Sequence, residues 1–492
     1  MDRLSLATMA RAPVGFARPA FDPRALGVGI VHLGIGAFHR AHQAIYTQAA
    51  LGSDPSPWGI VGVSMRRPAM RGVLAPQDFL YTVVERGDAG VRRSIVGTVR
   101  QVLVAPEDPT AVVARIAAPT THVVTLTVTE KGYCLDQASG KIDILHPDIA
   151  HDIANPLAPR SVAGILVAAI ERRMHDAAGP LSVLSCDNLP RNGRTLSSLV
   201  RTLARIRDDR LADWIPNNVA FPSSMVDRIV PATTPGDIAE NDAALGLHDE
   251  GVVVTEPFRQ WVIESRFAGP RPAWESAGAE IVSDVGPYEQ IKLRLLNGSH
   301  SALAYLGALA GHERIDQAIA EPDFALLVRR LMDEEVTSTL EVPSGVDLAA
   351  YKATLIARFA NPALGHRTRQ VAVDGTQKLP QRLLPAIRAR LNAGQSVRFL
   401  ALVIAAWMRY AIGVDERGKP HEVSDPLAAR LTQIATDGGR SAAALARGYL
   451  GLIEVFGEEL VQQTAFVEEV TRWLAMLLEK GAKATAATAV RT

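Results

Sequence analysis

Short β-branched runs alternate with longer amphipathic segments through the first 286 residues of the chain. Residues 29–33, 59–63, 122–128 and 181–186 have the apolar, β-branched character of buried strands. Residues 37–51, 108–117 and 161–176 have the periodicity of helices and lie between those strands. This alternation predicts an α/β fold, in which a parallel sheet is covered by helices on both faces.

From residue 287 onward, long apolar-periodic segments follow one another with few β-branched runs between them. They predict helices at residues 288–309, 322–336, 348–359, 377–392, 397–410, 426–436 and 459–480. The Ala/Thr-rich tail after Gly481 is expected to fray. We therefore predict two domains, residues 1–286 and residues 287–492, that meet at the Gly286-Pro287 turn.

Composition narrows the classes of protein that fit this pattern. The 52 Lys and Arg residues balance the 52 Asp and Glu residues, so we expect small-molecule partners and no nucleic acid. Two cysteines, Cys134 and Cys186, are too few for a disulfide scaffold or a four-ligand zinc site, and a reducing cytoplasm fits best.

The N-terminus lacks a signal-peptide run, and the apolar run at 399–408 is about half the length that spans a bilayer. We expect a cytoplasmic monomer that has no membrane partner.

Two glycines, Gly34 and Gly36, directly follow the first predicted strand. Gly34 permits a tight turn, and Gly36 lets backbone N–H groups approach a pyrophosphate at the start of the next helix. His39 stands where the usual fingerprint has its third glycine, so the pattern alone also fits an ordinary strand–helix turn. Arg40 favours phosphate binding, because a guanidinium forks onto phosphate oxygens.

The segment after the second predicted strand bears on the choice of nucleotide. An acid there would accept the ribose hydroxyls of NAD, whereas a basic residue would suit the phosphate of NADP. The stretch GVSMRRP holds no acid but carries Arg66 and Arg67. This stretch either forms a solvated basic turn or binds the phosphate of NADP. We therefore expect NAD as the cofactor and leave NADP open.

Several segments resemble the mannitol dehydrogenase family of polyol-specific long-chain dehydrogenases, which includes mannitol 2-dehydrogenases and fructuronate reductases. They extend from about residue 31 to residue 300 and into the helical half: HLGIGAFHRAHQ, APQDFLYT, LTVTEKGYC, SCDN, MVDRIVP, EPFRQWVIE, KLRLLNGSH and QKLPQRLL. The family's glycine turn is G-x-G-x-F-x-R, which adds Phe38 to the expected cofactor site.

The resemblance implies an N-terminal Rossmann-type domain with a parallel-sheet core, a mostly α-helical C-terminal domain, and an active site between them that needs no zinc. It also implies that Lys292 is the catalytic base and that Asn188 and Asn297 bind the reacting oxygen. His300 would contact the substrate.

Four polar residues interrupt the apolar segment YEQIKLRLLNGSH. At about 100° per residue, with Lys292 at zero, Glu289 falls near 60°, His300 near 80° and Asn297 near 140°. They therefore share one helix face, which fits either a catalytic face or a solvated stripe. A neutral lysine amine could accept the proton of an alcohol, provided that burial or nearby positive charge lowers its pKa toward neutrality.

Four further residues have two interpretations each. Asn188 ends the run LSVLSCDN and is either an oxyanion donor or a turn asparagine. Glu130 and Lys131 close the third strand and either border the nicotinamide ribose or form a structural ion pair. Glu289, one turn before Lys292, either relays a proton to solvent or forms a surface pair.

Candidate cations favour an acidic sugar as the substrate. Arg367, Arg369 and Lys378 lie in HRTRQVAVDGTQKLPQR and could bind a carboxylate, and Gln370 stands where mannitol 2-dehydrogenases tend to have arginine. We therefore expect reduction of D-fructuronate to D-mannonate. A neutral-polyol dehydrogenase, such as a mannitol 2-dehydrogenase, and a catalytically silent nucleotide-binding protein are the alternatives.

Overall fold

The chain folds into two units, Met1–Gly286 and Pro287–Thr492, each with its own hydrophobic core. The computed structural model describes residues 1–52, 57–87, 89–136 and 140–491.

Three sheets form the framework of the first unit. Their strands are β1 (Phe16–Ala17), β2 (Val28–Leu33), β3 (Gly59–Ser64), β4 (Tyr81–Gly87), β5 (Gly90–Val96), β6 (Val99–Val104), β7 (Val123–Leu126), β8 (Leu181–Ser185), β9 (Val219–Ala220), β10 (Ser224–Asp227), β11 (Val253–Thr255), β12 (Gln260–Glu264) and β13 (Glu280–Val282). The largest sheet has the order β6-β3-β2-β7-β8-β9, and all of its neighbouring strands are parallel. The predicted parallel sheet is therefore confirmed, with the four predicted strands as β2, β3, β7 and β8.

Helices cover both faces of this sheet. The helices of the first unit are α1 (Ala37–Ala41), α2 (Gln43–Leu51), α3 (Ala69–Leu74), α4 (Pro109–Ala117), α5 (Pro147–Ala154), α6 (Val162–Asp176), α7 (Asn192–Arg207), α8 (Asp209–Asn218) and α9 (Pro235–Leu245). Alternate side chains of β2 enter different cores: Val31 packs with α4, α6 and α7, whereas Ile30 packs with α2. A strand buried on both faces needs the continuous apolar run that made β2 visible in the sequence.

The two smaller sheets were not predicted from the sequence. One has the order β1-β5-β4-β11 and contains the antiparallel β4–β5 pair, and the other has the order β10-β12-β13. β5 has an exposed N-terminal half that includes Arg92, so its sequence lacks the apolar run of a buried strand.

The second unit is mostly helical, as predicted. It contains α10 (Gly286–Ile291), a π-helical turn (Lys292–Asn297), α11 (Gly298–Leu309), α12 (Ile315–Ile319), α13 (Pro322–Arg330), a second π-helical turn (Leu331–Val336), α14 (Leu348–Ala360), α15 (Thr368–Ala372), α16 (Gly375–Arg382), α17 (Leu384–Asn392), α18 (Arg398–Ala411), α19 (Ala428–Gly438), α20 (Ala442–Leu450), α21 (Ile453–Val461) and α22 (Thr464–Arg491). The predicted helix 377–392 is divided at Leu383, because Pro385, the second residue of α17, lacks the N–H that would continue the helix.

The apolar run at 399–408 forms the buried core helix α18. Within the described ranges, no helix combines the length and apolar character needed to cross a membrane.

The C-terminal tail differs from its prediction. α22 bends at Gly481, where φ is 79°, and continues to Arg491. Ala482, Ala486 and Ala489 are fully buried against the second unit's core, so packing holds a segment that composition alone suggested would fray.

Candidate active site

The two glycines after β2 meet different steric demands. Gly34 has a φ of 98°, and a Cβ there would lie 2.0 Å from the carbonyl oxygen of Thr127, so only glycine fits. Gly36 is the N-cap of α1, and a Cβ there would have Gly34 O, 3.9 Å away, as its nearest neighbour. The turn therefore leaves open space at Gly36, as the close approach of a pyrophosphate requires.

The helix after the turn is interrupted, whereas the sequence predicted one helix over residues 37–51. α1 ends at Ala41, and His42 adopts non-helical angles before α2 begins. The His42 ring stacks on Phe38 at 5.0 Å, and its Nε2 lies 2.9 Å from Gln260 O. Tertiary contacts of His42 thus break the helix and place Phe38 against its ring.

Arg40, which is predicted to contact phosphate, also makes contacts within the first unit. Its side chain is buried, and its Nη1 donates to Gly251 O. The guanidinium lies over the Tyr81 ring, 5.5 Å from the centroid, and the Tyr81 hydroxyl donates to Arg40 O. These contacts attach α1 to the sheet that contains β4.

A buried histidine braces the glycine turn. The Thr127 hydroxyl donates to Gly34 O at 2.8 Å, so its oxygen accepts from His32 Nε2 at 2.8 Å. Neutral His32 then accepts at Nδ1 from the Thr125 hydroxyl at 2.7 Å. Burial lowers the pKa of His32 to about 3, so this arrangement persists at neutral pH. His39 stacks on His32, with ring centroids 3.4 Å apart.

The remaining predicted cofactor residues follow the carboxyl ends of β3 and β7, the two strands that flank β2. Arg66 follows β3, and Glu130 and Lys131 follow β7 in a 3₁₀ turn, and all three are exposed. No ion pair joins Glu130 to Lys131 in the described part of the chain, so the ion-pair interpretation of these residues is not observed. Asn188 is exposed just beyond β8. This edge of the sheet is where α/β folds bind their ligands.

Asp187, next to Asn188, joins two of these strand ends. Its carboxylate accepts from Thr129 N at 2.9 Å, from Val128 N at 3.1 Å and from the Tyr133 hydroxyl at 2.8 Å. Sequence analysis did not single out Asp187, although its place in the SCDN segment was a usable signal.

In the second unit, Lys292 begins a π-helical turn. The N–H of Gly298 bonds to Leu293 O, five residues earlier, so this turn is wider than an α-helical one. The angles predicted for Asn297 and His300 at 100° per residue are therefore wrong. Glu289 precedes the π-turn and is half-buried.

Three of the predicted catalytic groups are buried or partly buried around the π-turn. The exposed fraction of Lys292 is 5% and that of His300 is 7%. Asn297 Oδ1 and His300 Nε2 are buried without a hydrogen-bond partner among the described residues. Buried polar atoms are rarely left unpaired, so these two atoms fit a ligand that supplies the missing bonds.

Cations surround His300. Burial, followed by the charges of His366, Arg382, Arg358 and Lys378, holds the pKa of His300 well below its usual value. The His366 ring packs edge-on against it at 4.8 Å, and burial together with Lys378 lowers the pKa of His366 to about 4. Both imidazoles are therefore neutral at pH 7, in a region of positive charge.

Comparison with known proteins agrees with this geometry. Residues 28–276 match the mannitol dehydrogenase Rossmann domain, and residues 284–478 match the mannitol dehydrogenase C-terminal domain. The chain belongs to the mannitol dehydrogenase family. It is similar to D-mannonate oxidoreductase of Escherichia coli strain K12, with 45% identity over 97% of this chain and 99% of the relative. It is also similar to mannitol 2-dehydrogenase of Pyricularia oryzae, with 39% identity over 95% of this chain and 94% of the relative.

A solved family structure superposes along the whole chain. It is the Pseudomonas fluorescens mannitol 2-dehydrogenase ternary complex with NAD and D-mannitol, with a TM-score of 0.92, 36% identity and full coverage of both chains. The predictions of an oxidoreductase and of a nicotinamide cofactor are thus confirmed. The names of the Escherichia coli and Pseudomonas fluorescens relatives refer to small sugar-derived molecules, D-mannonate and D-mannitol.

Of the three predicted substrate cations, Lys378 lies close enough to His300 and His366 to affect both. Lys378 lowers the pKa values of both histidines, and its Nζ donates to Val371 O at 3.2 Å. Arg367 and Arg369 are exposed, and Arg369 acts instead on Tyr410 and His421. Helix α15 carries Arg369 on its exposed face, which residue type alone could not indicate.

The sequence analysis missed Arg358, His366 and Arg382. Arg382 follows Lys378 by four residues, and on α16 that spacing places both on one helix face, which was a usable signal. Its Nη1 donates to Ser301 Oγ at 3.1 Å, one residue after His300. Arg358 lies on α14 and His366 before α15, and only the fold brings them to His300.

Proposed function

We propose that this member of the mannitol dehydrogenase family reduces D-fructuronate to D-mannonate with NADH. The observation that carries the proposal is the set of cations, Arg358, Lys378 and Arg382, that lie close enough to buried His300 for their charges to lower its pKa. A sugar carboxylate would make charge-assisted hydrogen bonds with such cations, whereas a neutral ketose would not. The similarity to a D-mannonate oxidoreductase supports the same substrate class.

Lys292 is the proposed proton-transfer group. Reduction of a ketone adds a hydride to carbon and a proton to oxygen, and the lysine ammonium would donate that proton. Burial disfavours the charged form of an amine, which suits a group that exchanges a proton at neutral pH. The amides of Asn297 and Asn188 would stabilise negative charge on the reacting oxygen, and His300 would bind a substrate hydroxyl.

The first unit supplies the proposed cofactor residues. Gly34 and Gly36 would hold the pyrophosphate, with Phe38 beside the turn and Arg66, Glu130 and Lys131 at neighbouring strand ends. The open space at Gly36 fits that group. When bound, the nicotinamide supplies the hydride. We assign NAD because the Pseudomonas fluorescens relative is a complex with NAD, and Arg66 and Arg67 make NADP the alternative.

The second candidate function is a mannitol 2-dehydrogenase activity on neutral polyols. It is favoured by the similarity to mannitol 2-dehydrogenases in both sequence and structure.

A substrate panel separates the two functions. We expect the value of kcat/KM with NADH to be at least about 100-fold higher for D-fructuronate than for D-fructose, because the neutral sugar makes no charge-assisted hydrogen bonds with the cations. Tagaturonate and xylulose extend the panel, and parallel assays with NADPH test the cofactor. Equal efficiency for D-fructose and D-fructuronate would rule out the uronate assignment.

A variant pair tests the cations directly. Lys378→Met should raise the KM for D-fructuronate about tenfold, the loss of one charge-assisted contact, and should leave the KM for D-fructose unchanged. Lys352→Met is the matched control, since Lys352 pairs with Asp333 elsewhere in the same unit.

A further inference from the structure

A buried carboxylate closes the nucleotide edge of the parallel sheet. Asp187 follows β8, and its carboxylate accepts hydrogen bonds from two consecutive backbone N–H groups, those of Val128 and Thr129, and from the Tyr133 hydroxyl. Tyr133 itself is fully buried and also contacts Ser185 at the end of β8. Asp187 thereby fixes the segment after β7 to the end of β8.

That segment has a conformation that needs an anchor. Thr129 has a φ of 64°, in the left-handed region that β-branched residues rarely adopt. Such backbone persists only where surrounding contacts hold it, and the carboxylate of Asp187 receives the N–H of Thr129 itself.

The same segment forms one wall of the glycine turn. Thr127 lies directly before Val128, its hydroxyl donates to Gly34 O, and its carbonyl oxygen fills the space that a Cβ on Gly34 would need. A displacement of residues 127–129 would therefore be transmitted to Gly34 and to the backbone N–H groups that follow it.

We propose that Asp187 is a positioning residue for the nicotinamide cofactor: it holds residues 127–129 against the Gly34 turn and so determines the affinity for the nucleotide. This inference rests on the nucleotide site proposed above. It assigns Asp187 a role distinct from that of its neighbour Asn188, which would act on the reacting oxygen.

The position of Asp187 makes cofactor affinity sensitive to pH. Burial raises the pKa of Asp187 to about 6, and the charge of Glu130 acts in the same direction. The N–H and hydroxyl groups that donate to the carboxylate lower its pKa and so offset part of this rise. The other titratable groups that face it are Tyr133 and Cys186, and burial keeps both protonated by raising their pKa values. Below about pH 6 the neutral carboxyl group accepts more weakly from its three donors, so the affinity for NADH should fall as the pH falls.

Asp187→Asn tests the proposal, with Asp249→Asn as its matched control. Asp249 is equally buried and also accepts from two backbone N–H groups, those of Thr82 and Gly251, and from one side chain, that of Gln77, but it serves the sheet that contains β4. The measurement is the Kd of NADH for the full-length protein, by calorimetric titration between pH 5 and pH 8.

We expect Asp187→Asn to raise the Kd at pH 8 about tenfold or more and to abolish its increase below pH 6. Asp249→Asn should lower the thermal stability but keep the Kd and its pH dependence. An unchanged Kd profile in Asp187→Asn, or the same change in both variants, would overturn the inference.

Tyr133→Phe keeps the inference testable if Asp187→Asn does not fold. Removal of the Tyr133 hydroxyl takes away a bond that lowers the pKa of Asp187, so the loss of affinity should begin at a higher pH. An unmoved pH profile would count against the proposal.

Gly36→Ala separates this inference from the nucleotide site on which it rests. Because a Cβ at Gly36 meets no close neighbour in the described residues, the variant should fold and yet bind NADH at least tenfold more weakly. Weak binding by Gly36→Ala with an unchanged Asp187→Asn profile would reject the role of Asp187 alone. Normal binding by Gly36→Ala would reject the nucleotide site and the inference together.

Discussion

Asn297 and His300 each keep a buried polar atom that has no partner among the described residues. An unpaired buried polar atom costs about 1–3 kcal/mol, so the free protein is less stable than it would be with apolar residues at these positions. A bound substrate can supply the missing hydrogen bonds.

Asn297→Ala tests this interpretation. We expect kcat to fall by roughly two to three orders of magnitude, because the substitution also removes the Nδ2 N–H groups, the proposed donors to the developing oxyanion. The melting temperature should not fall, because the substitution removes an unpaired amide oxygen. Ser299→Ala is the control: Ser299 Oγ is also buried without a partner in the described ranges, yet its loss should leave kcat within about twofold. A large loss of stability in Asn297→Ala, or an unchanged kcat, would contradict the assignment.

At the scale of elements, the buried carboxylate of Glu335 connects the second π-helical turn to the buried helix α18. The carboxylate of Glu335, on the turn Leu331–Val336, accepts from the N–H groups of Phe399 and Leu400 at the start of α18. Burial raises the pKa of Glu335 to about 7, despite these two bonds. The folded state therefore holds a proton that the unfolded chain releases at lower pH.

This proton gives the stability a specific pH dependence. Between the ordinary pKa of glutamate, about 4.5, and about 7, the folded state binds more protons than the unfolded state, so this group's contribution to stability decreases as the pH rises through that range. Glu335→Gln should remove the dependence and stabilise the protein at pH 8 relative to pH 5, by on the order of 2 kcal/mol. Thermal unfolding at both pH values measures it. An equal effect of the substitution at pH 5 and pH 8 would show that Glu335 does not titrate in this range.

Elements buried on both faces were predictable from the sequence, whereas those decided by long-range contacts were not. β2 and β8 are buried almost throughout and were found. β5 is half-exposed, and β10 and β11, although buried, are only four and three residues long, so they carry no such signal. The break at His42 arises from contacts with Phe38 and Gln260, which is more than 200 residues away. The π-turn at Lys292 also has more residues per turn than an α-helical projection assumes.

At the scale of the whole molecule, charge is balanced overall but distributed unevenly. The chain carries 52 basic and 52 acidic residues, so it has no global attraction for an anionic sugar. The attraction must come from the cations around His300, which belong to two helices, α14 and α16. The family's motif KLRLLNGSH identified Lys292, Asn297 and His300. It did not identify Arg358, because only the folded chain brings α14 to the helix that carries His300.

The central claim is that the amine of Lys292 transfers the proton. The most direct test is kcat of Lys292→Ala for D-fructuronate reduction at saturating NADH, alongside the Kd of NADH and with Lys352→Ala as the control lysine of the same unit. We expect kcat to fall by about 10²–10⁴-fold, the range of a lost general acid or base, while the Kd of NADH and the activity of the control variant stay within about twofold of the wild-type values. A Lys292→Ala enzyme with wild-type kcat would contradict the account.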